Sequence, residues 1–311
     1  MVSANDTSVQ YFILLGLSKS LDVQMFLFFL FLMFYIIILV GNLLIIITVK
    51  VDPRLHSPMY FFLGNLSLVD LCYSSVTAPK MLLDALSEAK AISFNGCIAQ
   101  LFFFHFFGCT EIFVLTVMAF DRYVAICNPL HYMTIMNQRV CSLLVSASWL
   151  GGAIHSTAQT LLTIRLPFCG PNRIDNFFCD VPPVLKLACT NTYVTGVLIV
   201  SNSGLISLVC FLLLLISYSA ILFTLRLRSS EGKHKALSTC AAHLTVVTFF
   251  FGPCIFIYTR PSTSFPIDKI VSVFYAVITP MLNPIIYTLR NAEVKSAMRK
   301  LGSAWKFGGN K

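Results

Sequence analysis

Apolar residues in this chain come in long, nearly unbroken runs, separated by short polar stretches that hold most of the charges. Seven runs of about 20 residues or more can be drawn, each enough to cross roughly 30 Å of hydrocarbon as helix. They cover approximately 24–49, 58–83, 95–120, 140–164, 195–225, 236–259 and 269–289. The fourth and seventh are the least hydrophobic, but charges and prolines bound both. The runs are too continuous for the alternation of a membrane barrel. The pattern therefore predicts an all-α membrane protein, a bundle of seven transmembrane helices spanning 24–290 after a tail of residues 1–23. The connection 165–194 is rich in Pro, Cys and Asp, and a loop that long is usually functional. In 291–311, apolar Val294, Met298 and Leu301 alternate with basic Lys295, Arg299 and Lys300. That suits a short amphipathic helix lying on a membrane surface. No long repeat is visible, and an odd number of spans argues against a transporter of inverted repeats.

Composition sharpens this. The 311 residues are 57% hydrophobic and 11% charged, with a mean hydropathy of +0.81, whereas soluble domains carry roughly 25% charged residues. The segments on one side of the spans hold Lys50, Arg54, Arg122, Arg139, Arg226, Arg228, Lys233, Lys235, Arg290, Lys295, Arg299, Lys300, Lys306 and Lys311. The opposite side holds Lys19, Lys80, Lys90, Arg165, Arg173, Lys186, Arg260 and Lys269. The excess of cations predicts a cytoplasmic C-terminus and an extracellular N-terminus. The net charge of +9 is then a property of the inner face, suited to anionic lipid rather than to nucleic acid. Residues 1–20 lack a basic start and apolar core, so the first span is expected to act as its own insertion signal. Asn5-Asp6-Thr7 is a glycosylation acceptor on the outer side, whereas Asn65-Leu66-Ser67 lies inside a span. Four of the 11 cysteines, Cys97, Cys169, Cys179 and Cys189, fall in outer segments, where disulfides persist. Four cysteines allow three pairings.

Three groups of polar residues need explaining in so apolar a chain. Asp121 and Arg122 stand at the inner end of the third span, in Met-Ala-Phe-Asp-Arg-Tyr-Val-Ala-Ile-Cys, residues 118–127. By physics alone this is either a solvated helix end or a switch. Asp70 lies about 18 Å along span two from Pro58, and Glu111 about 16 Å above Arg122. Both fall near mid-membrane, where a carboxylate costs about 2.5 kcal/mol or more. Either they are protonated and hydrogen-bonded, or a cation sits between them near Asn42 and Asn283. Pro284 should bend the seventh span and leave a polar pocket near Asn283. No nucleophile–base pair, phosphate loop or metal-ligand spacing appears, so an enzyme reading has little support.

Six motifs then agree in order: Gly41-Asn42; Leu55-His56-Ser57-Pro58-Met59-Tyr60-Phe61-Phe62-Leu63; Met118 to Cys127; Ser217-Tyr218; Lys235-Ala236-Leu237-Ser238-Thr239-Cys240; and Pro280-Met281-Leu282-Asn283-Pro284-Ile285-Ile286-Tyr287. Over nearly its whole length the chain resembles the class II, tetrapod-type odorant receptors, a branch of the rhodopsin-like G-protein-coupled receptors. Residues 166–172 resemble the family-four branch. The resemblance implies a multi-pass plasma-membrane receptor for small odorants. It would activate a stimulatory, olfactory-type heterotrimeric G protein and raise cyclic AMP. It implies that Asp121 pairs with Arg122 at rest, with Tyr123 completing the motif, and that Arg122 meets the G protein in the active state. Tyr218, His243, Asn283, Pro284 and Tyr287 would join that switch, converging on Arg122. It implies a sodium site at Asp70, with Glu111 and Asn283, and no other cofactor. It also selects the disulfides Cys97–Cys179 and Cys169–Cys189.

The ligand would lie in the outer half of the bundle. Helical spacing there groups Phe104, His105, Gly108, Cys109 and Ile112 on span three; Asn202, Ser203 and Ile206 on span five; and Phe251, Cys254, Ile255 and Tyr258 on span six. Apolar lining with a few polar groups is the usual makeup of a ligand pocket. His105 is the polar anchor, or a core histidine bonded to a neighbour. The outer half of span three carries no acid, with Phe104 where amine receptors place Asp, so a neutral volatile ligand is expected. Asn176 stands where related receptors carry a histidine, which leaves Asp180 as a structural loop residue rather than part of a metal site. Two rivals remain: the same fold serving a metabolite such as a short acid, which would want Lys80, Arg165 or Arg260 in the pocket, and an ion transporter or channel using Asp70 and Glu111.

Overall fold

In a computed structural model, which describes residues 9–169, 172–226, 233–259 and 267–308, every apolar run is helical. The helices are α1 (Leu21–Val51), α2 (Pro58–Leu86), α3 (Phe94–Cys127), α4 (Gln138–Ile164), α5 (Tyr193–Arg226) and α6 (Lys233–Tyr258). The next, α7, comprises Asp268–Val273, a π-helical turn Phe274–Ile278 and Thr279–Arg290. The last, α8, is Ala292–Gly308. Six of the first seven are long and apolar enough to span a membrane, and α6 adds a shorter apolar stretch, His243–Tyr258. The fold is a seven-transmembrane bundle.

Polar residues at the joints set the helix starts by accepting otherwise unpaired backbone N–H groups. Ser93 Oγ accepts from Gly96 N at 3.1 Å and Asn137 Oδ1 from Val140 N at 3.1 Å. Asn291 Oδ1 accepts from Glu293 N at 3.0 Å and Val294 N at 3.2 Å, turning the chain from α7 into α8. Pro58 opens α2, where its missing N–H costs nothing. Between α1 and α2, hydrogen bonds from Arg54 pull the Asp52 carboxyl down to about 2.

Two boundaries differ from the sequence expectation. The third span was expected to end near 120, but α3 runs to Cys127, so Asp121 and Arg122 lie within a helix that continues past them. The tail is not free either. Tyr11–Leu14 forms β1, pairing antiparallel with β2 (Ala91–Ser93) and parallel with β3 (Arg173–Ile174). Its alternate residues Phe12 and Leu14 are buried against Ile174, Cys179 and Val184, the period of two that a half-buried strand requires. The disulfides Cys97–Cys179 and Cys169–Cys189 tie the long loop down beside this sheet. Asn5 lies outside the described residues.

Helix contacts depend on small residues and on proline. Pro284 offers no N–H to the carbonyl one turn back, and Asn42 Nδ2 donates to that oxygen, Pro280 O, at 3.4 Å. Gly41 makes the approach possible: a Cβ there would sit 2.8 Å from Pro284 Cβ. The Gly-Asn pair of α1 and the prolines of α7 are therefore two halves of one joint. Between α3 and α4, a Cβ on Gly152 would meet Thr110 Oγ1 at 2.2 Å and Phe106 O at 2.8 Å, while one on Gly196 meets nothing within 4 Å. Gly152→Ala should destabilise the bundle by about 1–3 kcal/mol through overpacking, and Gly196→Ala should not. Thermal unfolding of both variants in detergent checks this; equal midpoints would contradict it.

Candidate functional site

A cavity opens among α2 to α7 toward the sheet end, lined by Tyr73, Phe104, His105, Gly108, Cys109, Ile112, His155, Ser203, Ile206, Ser207, Phe250, Cys254, Tyr258 and Tyr275. The non-atom space there, open solvent included, is about 400 Å³. All five residues expected from α3 line it, with Ser203, Ile206, Cys254 and Tyr258. Three expected residues do not. On α6 the cavity face is Phe250, Cys254 and Tyr258, spaced by four; Phe251 instead meets Phe211 of α5 with ring centroids 6.0 Å apart, and Ile255 packs half-buried against the hydrophobic core. Asn202 sits beside His155 of α4, outside the lining. Tyr73, His155, Ser207 and Tyr275 had no signal beyond ordinary helix packing, although a histidine buried in mid-span was itself a clue.

A loop residue outside the lining ties together two of the cavity's tyrosines, Tyr258 and Tyr275. The disulfide fixes Cys179, Gln100 Oε1 accepts from Cys179 N at 2.8 Å, and the next residue, Asp180, is 1% exposed. Tyr258 Oη donates to both Asp180 oxygens, at 3.0 and 2.9 Å, and Tyr275 Oη reaches Oδ2 at 3.3 Å. Val181 N donates to Oδ1 at 2.7 Å, and His105 Nε2 stands 3.3 Å from the same oxygen. A buried carboxylate must be compensated in this way. Asp180 therefore joins α3, α6, α7 and the loop above the cavity, more than the loop residue the sequence suggested. The one acid near the cavity, Asp180, already accepts from Tyr258, Tyr275 and Val181 N, so it is not a free acceptor for a cationic ligand. Lys80 and Arg165 do not line the cavity, and Arg260 lies outside the described residues.

Below the cavity the mid-membrane acids meet. Asn283 Nδ2 donates to Asp70 Oδ1 and Oδ2 at 3.0 and 2.9 Å, and lies 3.4 Å from Glu111 Oε1. All three residues are buried. Asn42 Oδ1, Asn283 Oδ1 and Glu111 Oε2 are buried without a hydrogen-bond donor. Unpaired hard oxygens around two carboxylates fit a small cation.

Toward the α8 end the expected Asp121–Arg122 pair is absent among the described ion pairs. Asp121 Oδ1 instead accepts from Tyr132 Oη at 2.8 Å, in the connection after α3. Burial and the Asp121 charge push the Tyr132 phenol upward, so it stays a donor. Arg122 Nη2 lies against Met59 Sδ. Neighbours on one helix turn point apart, which is why adjacent Asp and Arg find separate partners. Tyr123 packs beside Phe120. Tyr218 Oη hydrogen-bonds His243 Nδ1, and the His243 ring stands 6.4 Å from Tyr287. These three converge on one another and lie within electrostatic reach of Arg122, though no described hydrogen bond links them to it. Tyr60 Oη, beside Met59, donates to Glu293 Oε2 at 2.5 Å and to Asn291 Oδ1 at 3.2 Å, fastening α8 to α2.

Seven membrane helices, an internal cavity under a disulfide-held loop and a polar junction below it define a receptor of the rhodopsin-like class. A family model described as olfactory receptor matches residues 31–303. Olfactory receptor 4E2 of Mus musculus is 64% identical over 301 residues, 97% of this chain and 98% of that protein. Olfactory receptor 4E1 of Homo sapiens is 64% identical over 298 residues, 96% of this chain and 95% of that protein. Olfactory receptor 4N5 of Homo sapiens is 60% identical over 307 residues, covering 99% and 100%. The chain belongs to the olfactory receptor family, and these relatives place it beside the family-four members.

Removing one donor from Asp180 tests the loop junction. Tyr258→Phe should lower unfolding stability by about 1.5–3 kcal/mol, the range for a hydrogen bond to a charged group. Thermal denaturation in detergent measures it, and an unchanged midpoint would mean that Asp180 does not need this phenol.

Proposed function

We propose that this receptor binds a small, neutral, volatile ligand in the central cavity and thereby activates a stimulatory, olfactory-type heterotrimeric G protein, raising cyclic AMP. The observation that carries the reading is the cavity itself. Aromatic and aliphatic side chains share its lining with neutral hydroxyls and two histidines, no acid is among the lining residues, and Asp180 nearby is already bonded within the protein. Such a lining favours molecules that bury apolar surface and offer one hydrogen-bonding group, with His105 or Ser203 as the anchor. The positive-inside rule supports an extracellular N-terminus, with Asn5 available for glycosylation, and a cytoplasmic α8 in the plasma membrane. In that orientation Asp121, Arg122, Tyr123, Tyr218, His243, Pro284 and Tyr287 form the inner switch. Ligand binding favours a state in which α6 moves outward, releasing Arg122 from Met59 for the G protein. Asp70, Glu111, Asn283 and Asn42 hold a sodium ion that favours the resting state.

A cyclic AMP assay against a chemically diverse odorant panel tests this. Neutral volatiles should give concentration-dependent responses that Arg122→Ala abolishes at equal surface expression. Asp70→Asn should remove any dependence of potency on external sodium. Responses to short acids alone would favour a metabolite receptor. Full signalling by Arg122→Ala would refute the switch assignment, and ligand-independent ion flux in liposomes would favour a channel.

A further inference from the structure

The helices α1 and α7 touch at Gly41 and Pro284, where a Cβ on the glycine would meet the proline ring. Toward the sheet end they part, and the groove between them leaves about 800 Å³ of open volume. Leu27, Leu30 and Phe34 of α1 line one wall, and Ile270, Phe274 and Ile278 of α7 line the other. Both sets recur every three or four residues, so each helix turns one apolar stripe into the gap. On α1 the lining runs from Val23 to Phe34, about 16 Å at 1.5 Å per residue. Half of a hydrocarbon core roughly 30 Å thick is nearly the same length. The groove is one leaflet deep.

Only its rim is polar, where Ser18, Asp175 and Lys269 lie. Lys269 Nζ donates to Asp175 Oδ1 at 2.5 Å and to Gly16 O at 3.3 Å. An ammonium carries three N–H donors, so these two bonds leave a third. The Asp175 side chain is 72% exposed, and an ion pair that open is weak. A second acceptor of negative charge can therefore share this cation.

The walls decide what kind of molecule fills the space. Water finds no hydrogen-bonding partner along them, and an empty groove forfeits the dispersion contacts of its lining. A partner helix about 10 Å across would need roughly 1,300 Å³ over the same depth, more than the groove holds. A hydrocarbon chain is slim enough to enter and ends at mid-bilayer, where α1 and α7 close. A phosphate at its head then stands at the level of Lys269.

We propose that the groove between α1 and α7 is a phospholipid site: one acyl chain lies between the two apolar stripes, and the phosphodiester accepts from Lys269 Nζ. A chain held on two sides exchanges more slowly than one lying on a single helix face. Occupancy is a matter of binding alone, so the proposal stands or falls independently of signalling.

Photo-crosslinking of the purified receptor in nanodiscs tests it, with phosphatidylcholine carrying a diazirine on one acyl chain and peptide mass spectrometry as the readout. Leu212, Leu213 and Ile216, exposed on α5, report the lipid that merely surrounds the protein. Labelling should concentrate on Leu30, Phe34, Phe274 and Ile278 above the α5 level, and unlabelled phosphatidylcholine should compete it away. Ile270→Trp, a change at a residue 59% exposed, should fill the groove and bring its labelling down to that of α5. Diacylglycerol with the same photoreactive chain should label the groove about threefold less, the scale of a partly exposed charge contact. Lys269→Gln should erase that difference. Groove labelling no higher than on α5, whether a second receptor copy covers the groove or lipid passes freely, would overturn the site. Displacement by cholesterol but not by phosphatidylcholine would assign the groove to a sterol and overturn the phospholipid. Equal labelling by the phospholipid and the diacylglycerol would overturn the role of Lys269.

Discussion

Hydrocarbon offers no hydrogen bonds, so the polar groups of this chain must find one another inside the bundle. The hydrogen bonds from Asn283 to Asp70, with Glu111 in reach, are where that constraint acts most strongly. They bring α2, α3 and α7 to one point, and Asn42 adds α1 through the carbonyl that Pro284 leaves free. Breaking any one of these would leave a polar group stranded in the membrane interior. The junction also lies between the cavity above and the Arg122 region below. Under the proposed function, it is the place through which either end would influence the other.

Above the junction, Asp180 repeats the same logic with a loop residue. Its bonds to Tyr258 and Tyr275 hold α6 and α7 to the lid over the cavity. Tyr275 belongs to the π-helical turn of α7, a geometry that often marks functional positions. Tyr258 and His105 both line the cavity and stand against Asp180, so a ligand that moves either residue acts on the lid and on α6 together. Below, Asp121 and Arg122 are held apart by Tyr132 and Met59 rather than bound to each other. Each is thus held by a neighbouring segment rather than by the other. The proposed switch requires separable contacts of this kind.

The seven helices were legible because membrane spans announce themselves by length and hydropathy, whereas the polar caps at Ser93, Asn137 and Asn291 emerged only with the structure. The buried triad of Asp70, Glu111 and Asn283 was legible for the opposite reason, since acids are rare at mid-membrane depth. What the sequence left out is set by rotation and by long-range contact. A shift of one residue on α6 exchanges Phe251 for Phe250, and a run so uniformly apolar gives no phase. Asp180 reads as a loop acid until the disulfide carries it over the cavity. The strand Tyr11–Leu14 is too short to stand without β2 and β3, both distant in sequence. Tyr132 lies in an ordinary polar connection, and only the fold brings it to Asp121.

The central claim is that the cavity and the α8 end report on one conformational balance. Linkage then requires that a ligand and a G protein strengthen each other's binding by the same factor. The direct test is odorant affinity of the purified receptor in nanodiscs, measured with and without nucleotide-free stimulatory heterotrimer. A tightening of roughly 5- to 150-fold is expected, the usual range of allosteric coupling. Equal affinities in the two conditions would contradict the account.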